Sequence, residues 1–197
     1  MRLPYSGFAV LLSAVALQHA DFARSSGKAP VPDAAAFHDA EVLYLPTPHH
    51  VVEAMLKLAG VARGDVLYDL GSGDGRIPIA AAKRYGIRAV GIELDARLVK
   101  AARRNAEASG VAHLVEFRQQ DLFETNLADA SIVTLFLFPE MNLRLKPRLR
   151  AELRPGARVV SHRFDMGDWR AQREVQERGH PIYLWTIPEP GGTRKQP

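Results

Sequence analysis

The pattern of apolar and polar residues divides the chain after residue 41 into alternating strands and helices. Short apolar runs predict strands at residues 66–70, 89–93, 114–120, 131–138 and 157–162. Apolar positions at helical spacing predict helices at residues 48–59, 77–85, 96–109 and 143–153. Glycines end several of them, and Asp95 is predicted to cap the third. Because strands and helices alternate, the pattern predicts an α/β fold built on a parallel sheet.

The last part of the pattern departs from this alternation. Residues 172–178 and 181–187 alternate between apolar and polar positions on either side of Gly179. Two such runs predict a hairpin that closes the sheet with antiparallel strands. The predicted fold is therefore a mostly parallel sheet with an antiparallel C-terminal hairpin.

A glycine-rich loop follows the first predicted strand and opens the next helix. It runs Asp-Leu-Gly-Ser-Gly-Asp-Gly-Arg from Asp69 to Arg76, with a glycine at every second position. Glycine permits a tight turn and lets a ligand approach the backbone, and the helix start supplies free N–H groups. The spacing differs from the Gly-x-Gly-x-x-Gly of dinucleotide-binding folds, which disfavours a dehydrogenase.

An acidic residue marks the end of three successive predicted strands. Asp69 lies two residues before the first glycine of the loop, and Glu93 and Asp121 end the next two strands. Since parallel sheets bind ligands at the carboxyl ends of their strands, the sequence predicts that these acids share one binding edge. Glu93 occupies the place where nucleotide-binding folds position the carboxylate that accepts ribose hydroxyls.

The strand followed by Asp-x-Gly-x-Gly-x-Gly resembles motif I of the class I methyltransferases, which use S-adenosylmethionine. This resemblance implies a Rossmann-like sheet of seven strands. It implies cofactor binding by the loop, with Asp121 accepting the adenine amino group and Leu94 and Leu122 covering the ring faces. The loop residues concerned are Gly71, Ser72, Gly73 and Gly75.

The segment before the first helix is stiffened by two prolines, Pro46 and Pro48. Thr47 suits a helix N-cap, and Pro48 suits the first helical turn. An alternative interpretation places Tyr44 and Thr47 over the cofactor loop. The spacing leaves both interpretations open.

Four motifs together are similar to a narrower methyltransferase group. They are Tyr-Leu-Pro-Thr-Pro, the glycine loop, Phe-Pro-Glu-Met-Asn after the fourth strand, and Ser-His-Arg-Phe-Asp-Met-Gly-Asp-Trp after the fifth. That group includes small bacterial enzymes and the mitochondrial protein-lysine methyltransferases that act on the ADP/ATP carrier and on the c subunit of ATP synthase. The resemblance covers residues 41–188 and implies a protein-lysine acceptor, in a membrane-associated protein.

A lysine amine must lose its proton before it attacks a methyl group, so a proton acceptor is expected. Glu140, after the fourth strand, and Asp165, beyond the fifth, are the acids that the topology places best. Each also has a structural interpretation, Glu140 as a first-turn helix acid and Asp165 as a loop cap. His162 is interpreted as a buried strand residue rather than a base.

Other functions are weighed against the lysine hypothesis. The fourth strand ends in Leu-Phe-Pro-Glu rather than the Asn/Asp-Pro-Pro-Tyr of enzymes that methylate exocyclic or amide nitrogens. This disfavours adenine and glutamine targets. A small-molecule methyltransferase and a non-catalytic cofactor-binding protein remain alternatives. The histidines have no metal-ligand spacing, so no metal is expected.

Composition narrows the class of protein further. The chain has 197 residues, of which 47% are hydrophobic, so one domain with a proper core is expected. It contains no cysteine, which excludes disulfides and thiolate chemistry. The net charge of +4 is spread among mixed charges and favours a solvated basic surface, so no nucleic-acid partner is expected.

The N-terminal region does not follow the domain pattern. Residues 8–17 form an apolar run too short to cross a bilayer, after Arg2 and before small residues at 20–23. Residues 1–24 are predicted to be a signal peptide or an uncleaved membrane anchor, giving membrane association, or export if the segment is cleaved. Residues 25–40 are predicted to be a linker and residues 189–197 a loose tail.

Overall fold

The computed structural model of the protein describes residues 45–189. The strands are β1 (Val66–Leu70), β2 (Arg88–Glu93), β3 (Val115–Gln119), β4 (Ile132–Leu135), β5 (Arg158–His162), β6 (Arg173–Glu177) and β7 (His180–Thr186). The helices are α1 (His49–Ala59), α2 (Arg76–Tyr85), α3 (Ala96–Ala108) and α4 (Pro139–Glu152), with a 3₁₀ helix at Leu122–Glu124. Nothing in this range forms a helix long and apolar enough to cross a membrane.

The strands form one sheet in the order β3-β2-β1-β4-β5-β7-β6. Neighbouring strands from β1 to β5 are parallel, whereas β7 is antiparallel to both β5 and β6. The prediction of a Rossmann-like, seven-stranded α/β sheet with an antiparallel C-terminal hairpin is therefore confirmed. The parallel register aligns the carboxyl ends of β1 to β5 along one edge, called the carboxyl edge below.

Helices cover both faces of the sheet. The first face packs α1 and α2 against residues that alternate along the strands, including Leu67, Ile132 and Val160. The opposite face packs α4, through Leu145 and Leu149, against a second core layer. Both faces are buried, which explains why β4 reads as a continuous apolar run rather than an alternating one.

Two helix starts differ in detail from the sequence prediction. Pro48, not Thr47, occupies the N-cap position of α1, and the Thr47 side chain makes no capping hydrogen bond. Helix α4 begins at Pro139 rather than at residue 143, because proline at the first helical position needs no hydrogen-bond partner for its nitrogen. By contrast, Asp95 caps α3 as predicted, accepting a hydrogen bond from the Arg97 N–H.

Candidate functional site: a glycine loop and strand-end acids

The glycine loop joins β1 to α2 in a backbone conformation that favours glycine. Gly71, Gly73 and Gly75 all have positive φ, of 80°, 53° and 81°. At Gly75 a Cβ would lie 2.4 Å from the Phe117 ring, so only glycine fits there. The N–H groups of Gly71 and Ser72 both donate to the Ile92 carbonyl at 2.9 Å, which ties the loop to the end of β2.

Glu93, the last residue of β2, connects the loop to the next turn. Its Oε2 accepts a hydrogen bond from the Gly73 N–H at 2.9 Å. Its Oε1 accepts from the N–H groups of Leu94 and Asp95 at 2.8 and 3.0 Å. The carboxylate is thereby fixed in orientation and only half-buried, so it can still accept hydrogen bonds from a ligand.

Asp121 follows β3 and lies at the same edge. Its Oδ1 accepts the Phe123 N–H at 2.8 Å, which caps the 3₁₀ helix. Leu122 is half-buried against the core, whereas Leu94 is 52% exposed. The structure therefore brings the predicted adenine contacts to the ends of β2 and β3, and leaves Leu94 accessible to a ligand.

Asp69 differs from the other two acids because it is buried. The Thr134 hydroxyl on β4 donates to its Oδ1 at 2.7 Å. Burial raises the pKa of the Asp69 carboxyl to about 7; the Thr134 hydrogen bond opposes this shift, and the nearby charges of Glu93 and Asp74 add to it. Asp69 therefore sits behind the loop rather than at its surface, and a cation bound beside it would favour its ionised form.

The loop fits the group that the sequence implies. The Ser72 hydroxyl is buried without a hydrogen-bond partner, beside Gly91, where a Cβ would approach its oxygen to 2.7 Å. Glu93 and Asp121 provide acceptors for hydroxyl and amino groups. The glycines have no side chain, so a ligand can approach the loop backbone closely. These donor and acceptor types match the ribose, adenine and methionine parts of S-adenosylmethionine.

Thr47 directly precedes the N-cap of α1, and its side chain is buried beside the glycine loop. Its carbonyl accepts a hydrogen bond from Arg76 Nη1 at 2.9 Å, and Arg76 forms an ion pair with Asp74. The Thr47 hydroxyl lies 3.4 Å from His162 Nδ1. Its position therefore agrees with the interpretation that places Thr47 by the cofactor loop. Tyr44 lies outside the described residues.

A histidine cluster that the sequence did not reveal lies next to Thr47. His162 Nε2 and His180 Nδ1 are 3.1 Å apart, and the His50 and His180 rings lie 5.7 Å apart. The buried His162 also packs on Phe136, with ring centroids 4.1 Å apart. Burial lowers the pKa of His162 to about 4, and the charges of His180, Arg163 and His50 add to this effect. Among residues 45–189 no group of acids and histidines is arranged to hold a metal.

The two predicted proton acceptors are exposed. Glu140 lies in the first turn of α4, and Asp165 accepts the Gly167 N–H at 3.0 Å in the loop after β5. Asn142 connects their elements, because its Nδ2 lies 3.2 Å from the Asp165 carbonyl. Both structural interpretations are thus realised, as a first-turn acid and as a loop cap. Neither excludes a chemical role, since both acids lie at the carboxyl edge.

The fold and the glycine loop define the class of S-adenosylmethionine-dependent methyltransferases, and comparison with known proteins specifies the family. A family model described as "ANTKMT methyltransferase domain" matches residues 69–173. A protein-lysine N-methyltransferase from Saccharolobus islandicus (strain REY15A) is 40% identical over 153 residues, which cover 75% of this chain and 95% of the relative. The adenine nucleotide translocase lysine N-methyltransferase of Mus musculus is 37% identical over 154 residues, which cover 78% of this chain and only 66% of the mouse protein.

A solved structure agrees on the cofactor. The crystal structure described as an RNA methyltransferase from Salinibacter ruber, in complex with S-adenosyl-L-homocysteine, is 55% identical to this chain. Its TM-score is 0.73, and the match covers 77% of this chain and 98% of that one. The protein belongs to the ANTKMT methyltransferase family. It is an S-adenosylmethionine-dependent methyltransferase.

Proposed function

We propose that the protein transfers a methyl group from S-adenosylmethionine to a lysine side chain of another protein. The observation that carries this proposal is the 40% identity that spans 95% of the archaeal protein-lysine N-methyltransferase. The carboxyl ends of β1 to β5, which would form the site, all lie within the family match at residues 69–173.

The residues of the glycine loop and strand ends would hold the cofactor. Glu93 would accept hydrogen bonds from the ribose hydroxyls, and Asp121 would accept one from the adenine amino group. Leu94 and Leu122 would cover the faces of the adenine ring. The loop backbone around Gly73 would face the methionine part. When bound, S-adenosylmethionine supplies a methyl group whose bond to the sulfonium sulfur breaks as the lone pair of the lysine nitrogen attacks it, leaving S-adenosylhomocysteine.

The chain must also promote loss of the proton from the lysine ammonium. With a reference pKa near 10.4, neutralising a lysine at pH 7 costs about 4.6 kcal/mol. Proximity to the sulfonium charge and partial burial would supply part of this. Glu140 or Asp165 would receive the proton or orient the amine, since these exposed carboxylates flank the ends of β4 and β5.

RNA is a second candidate acceptor, because the 55% identical structure is described as an RNA methyltransferase. The charge of the carboxyl edge argues against it. Among the described residues there, Arg76 and Arg97 pair with Asp74 and Asp95. The charged side chains beyond these pairs include the acids Glu93, Asp121, Glu140 and Asp165 and the bases Arg144 and Arg163. An edge rich in carboxylates repels phosphates and attracts an ammonium group.

We also propose that the acceptor protein is membrane-associated and that residues 1–24 bring the enzyme to a membrane, or direct its export if they are cleaved. The support is the apolar run at residues 8–17 and the mouse relative whose name gives adenine nucleotide translocase as its target. Residues 1–24 lie outside the described range. Cell fractionation of the full chain and of a chain lacking residues 1–24 tests this: the full chain should sediment with membranes, and equal solubility of both would contradict it.

Transfer of labelled methyl groups to cell extracts tests the acceptor. The full chain should label protein, and acetylation of lysines beforehand should abolish the label while nuclease treatment leaves it. Label that survives acetylation and disappears with ribonuclease would reject the lysine proposal in favour of RNA. Label in small molecules alone would favour a small-molecule acceptor.

A further inference from the structure

The exposed large apolar side chains of the described chain collect at the carboxyl edge. Leu45, Leu94, Phe138 and Leu143 are 54%, 52%, 49% and 44% exposed. Leu45 precedes α1, Leu94 follows β2, Phe138 follows β4, and Leu143 lies in α4. Scattered apolar side chains on a surface need no explanation, but a cluster beside a candidate active site indicates an interaction surface.

Two of these side chains lie against the loop after β5. The Phe138 and Phe164 rings are 6.3 Å apart, centroid to centroid. The Leu143 side chain lies over Gly167, and its Cδ2 would be 2.9 Å from a Cβ added at that glycine. Phe138, Leu143 and Phe164 are called the acceptor patch below. It lies between the ends of β4 and β5, away from the adenine contacts at β2 and β3.

Hydrogen bonds hold the two halves of the acceptor patch together. Asn142, fully buried in α4, directs its Nδ2 toward the carbonyls of Phe164 and Asp165 at 3.3 and 3.2 Å. The Ser161 hydroxyl donates to the same Phe164 carbonyl at 2.6 Å. Arg163, with a positive φ of 72°, turns the chain so that Phe164 meets α4. The patch is therefore organised before any partner binds, which lowers the entropic cost of docking.

Two carboxylates beside the patch can pair with a cationic side chain of a partner. Glu140 is two residues after Phe138, Asp165 directly follows Phe164, and both carboxylates are exposed. Of the nearby bases, Lys146 forms an ion pair with Asp168. Arg144, which stacks over the Phe123 ring at 3.7 Å, and the exposed Arg163 keep their positive charges. Apolar side chains flanked by carboxylates are complementary to an ammonium group with an apolar neighbour.

We propose that the acceptor patch binds a protein segment in which the target lysine has an apolar residue within about two positions. Phe138, Leu143 and Phe164 contact the apolar neighbour, while Glu140 and Asp165 face the lysine ammonium. This inference rests on the proposed lysine methylation and specifies which residues the enzyme prefers beside the target lysine. Burying one apolar side chain stabilises binding by an amount that corresponds to roughly tenfold in affinity.

Methylation of a peptide array by the full chain tests the inference. Each peptide carries one central lysine, with leucine, phenylalanine, serine, aspartate or lysine at the neighbouring positions. The rate for apolar neighbours should exceed the rate for serine about tenfold, through a lower KM, and aspartate should be the poorest neighbour. Phe138→Ser and Leu143→Ser should reduce this preference to less than about threefold.

Controls separate docking from folding and from cofactor binding. Both variants should bind S-adenosylhomocysteine as the parent does. Leu45→Ser, an equally exposed change at the same edge, should retain the preference, and a loss as large as in Phe138→Ser overturns the assignment to the patch. Equal rates for all neighbours overturn the inference while lysine methylation stands. The inference is also overturned if lysines of extract proteins are labelled while no peptide of the array is. Label in RNA alone overturns the proposed function itself.

Discussion

The backbone N–H of Gly73 donates a hydrogen bond to Oε2 of Glu93 across 2.9 Å. The other oxygen of this carboxylate accepts the N–H groups of Leu94 and Asp95. One side chain therefore fixes both the loop after β1 and the turn after β2. These are the two segments that would hold the ribose and methionine parts of the cofactor.

Glu93→Gln should weaken S-adenosylmethionine binding by about tenfold or more. A glutamine side chain has only one acceptor oxygen, and its NH₂ group would face a backbone N–H that the second carboxylate oxygen now accepts. The loop therefore loses a charge-assisted hydrogen bond worth about 1.5–3 kcal/mol. Titration calorimetry on the full chain measures the dissociation constant.

The matched control is Glu116→Gln on β3, where the carboxylate pairs with Arg118 at the surface. Its affinity for the cofactor should equal that of the parent chain. If Glu93→Gln bound the cofactor as tightly as the parent chain, Glu93 would not be part of the cofactor site.

Asp69 should make the ligand-free protein less stable as the pH rises. Its pKa is raised from 3.8 to about 7, so between these values the folded protein retains a proton that the unfolded chain has released. Its contribution to stability is present below about pH 4 and is lost as the pH approaches 7. Asp69→Asn removes this loss, because the amide is neutral and its oxygen can still accept from Thr134.

Urea unfolding at several pH values tests the sign. The free energy of unfolding of Asp69→Asn minus that of the parent should increase between about pH 4 and pH 7 and level off above. A difference that is constant with pH would contradict the raised pKa.

His162 should have the opposite effect. Its pKa is lowered from 6.5 to about 4, so the unfolded chain binds a proton that the folded chain excludes. Its contribution to stability is present above pH 6.5 and is lost as the pH falls toward 4. The parent chain should therefore lose more stability on acidification than His162→Gln does.

The control is His49→Gln, which changes an exposed histidine beside the cluster residue His50. Both variants and the parent chain are compared by urea unfolding from about pH 7 to about pH 4.5. If the stability of His162→Gln falls with pH as steeply as that of the parent, His162 is not held neutral by burial.

The sequence predicted what depends on neighbouring residues. The glycine loop, the cap at Asp95 and the strand-end acids are local patterns, and the parallel topology then aligned Asp69, Glu93 and Asp121. The sequence did not reveal the partners that only the folded sheet brings together. Thr134 lies 65 positions from Asp69.

The same limit applies to the histidines and to one helix start. His162 meets Thr47 from 115 positions away, and the pairing of β5 with β7 brings it to His180. No periodicity or motif encodes such pairs. The start of α4 at Pro139 was missed because the apolar run of β4 continues through Phe138, although the strand itself ends at Leu135.

Gly75→Ala should destabilise the fold by more than backbone strain alone. The positive φ of 81° costs an alanine about 1–2 kcal/mol, and its Cβ would also lie 2.4 Å from the Phe117 ring. Gly110→Ala is the matched control, since Gly110 has φ +73° but no atom within 4 Å of its Cβ position.

Thermal unfolding compares the two variants. Gly75→Ala should lower the melting temperature clearly more than Gly110→Ala, and Phe117→Leu in the same chain should recover part of the loss. Equal losses in the two glycine variants would show that the Phe117 contact is absent in solution.

The chemical identity of the methylated product tests the central claim most directly. The full chain is incubated with labelled S-adenosylmethionine and a lysine-containing protein extract, and the labelled protein is hydrolysed and analysed by mass spectrometry. The label should appear as ε-N-methylated lysine, and Glu93→Gln should reduce it at subsaturating cofactor. Label in any other residue or in nucleosides, with none in lysine, would contradict the account.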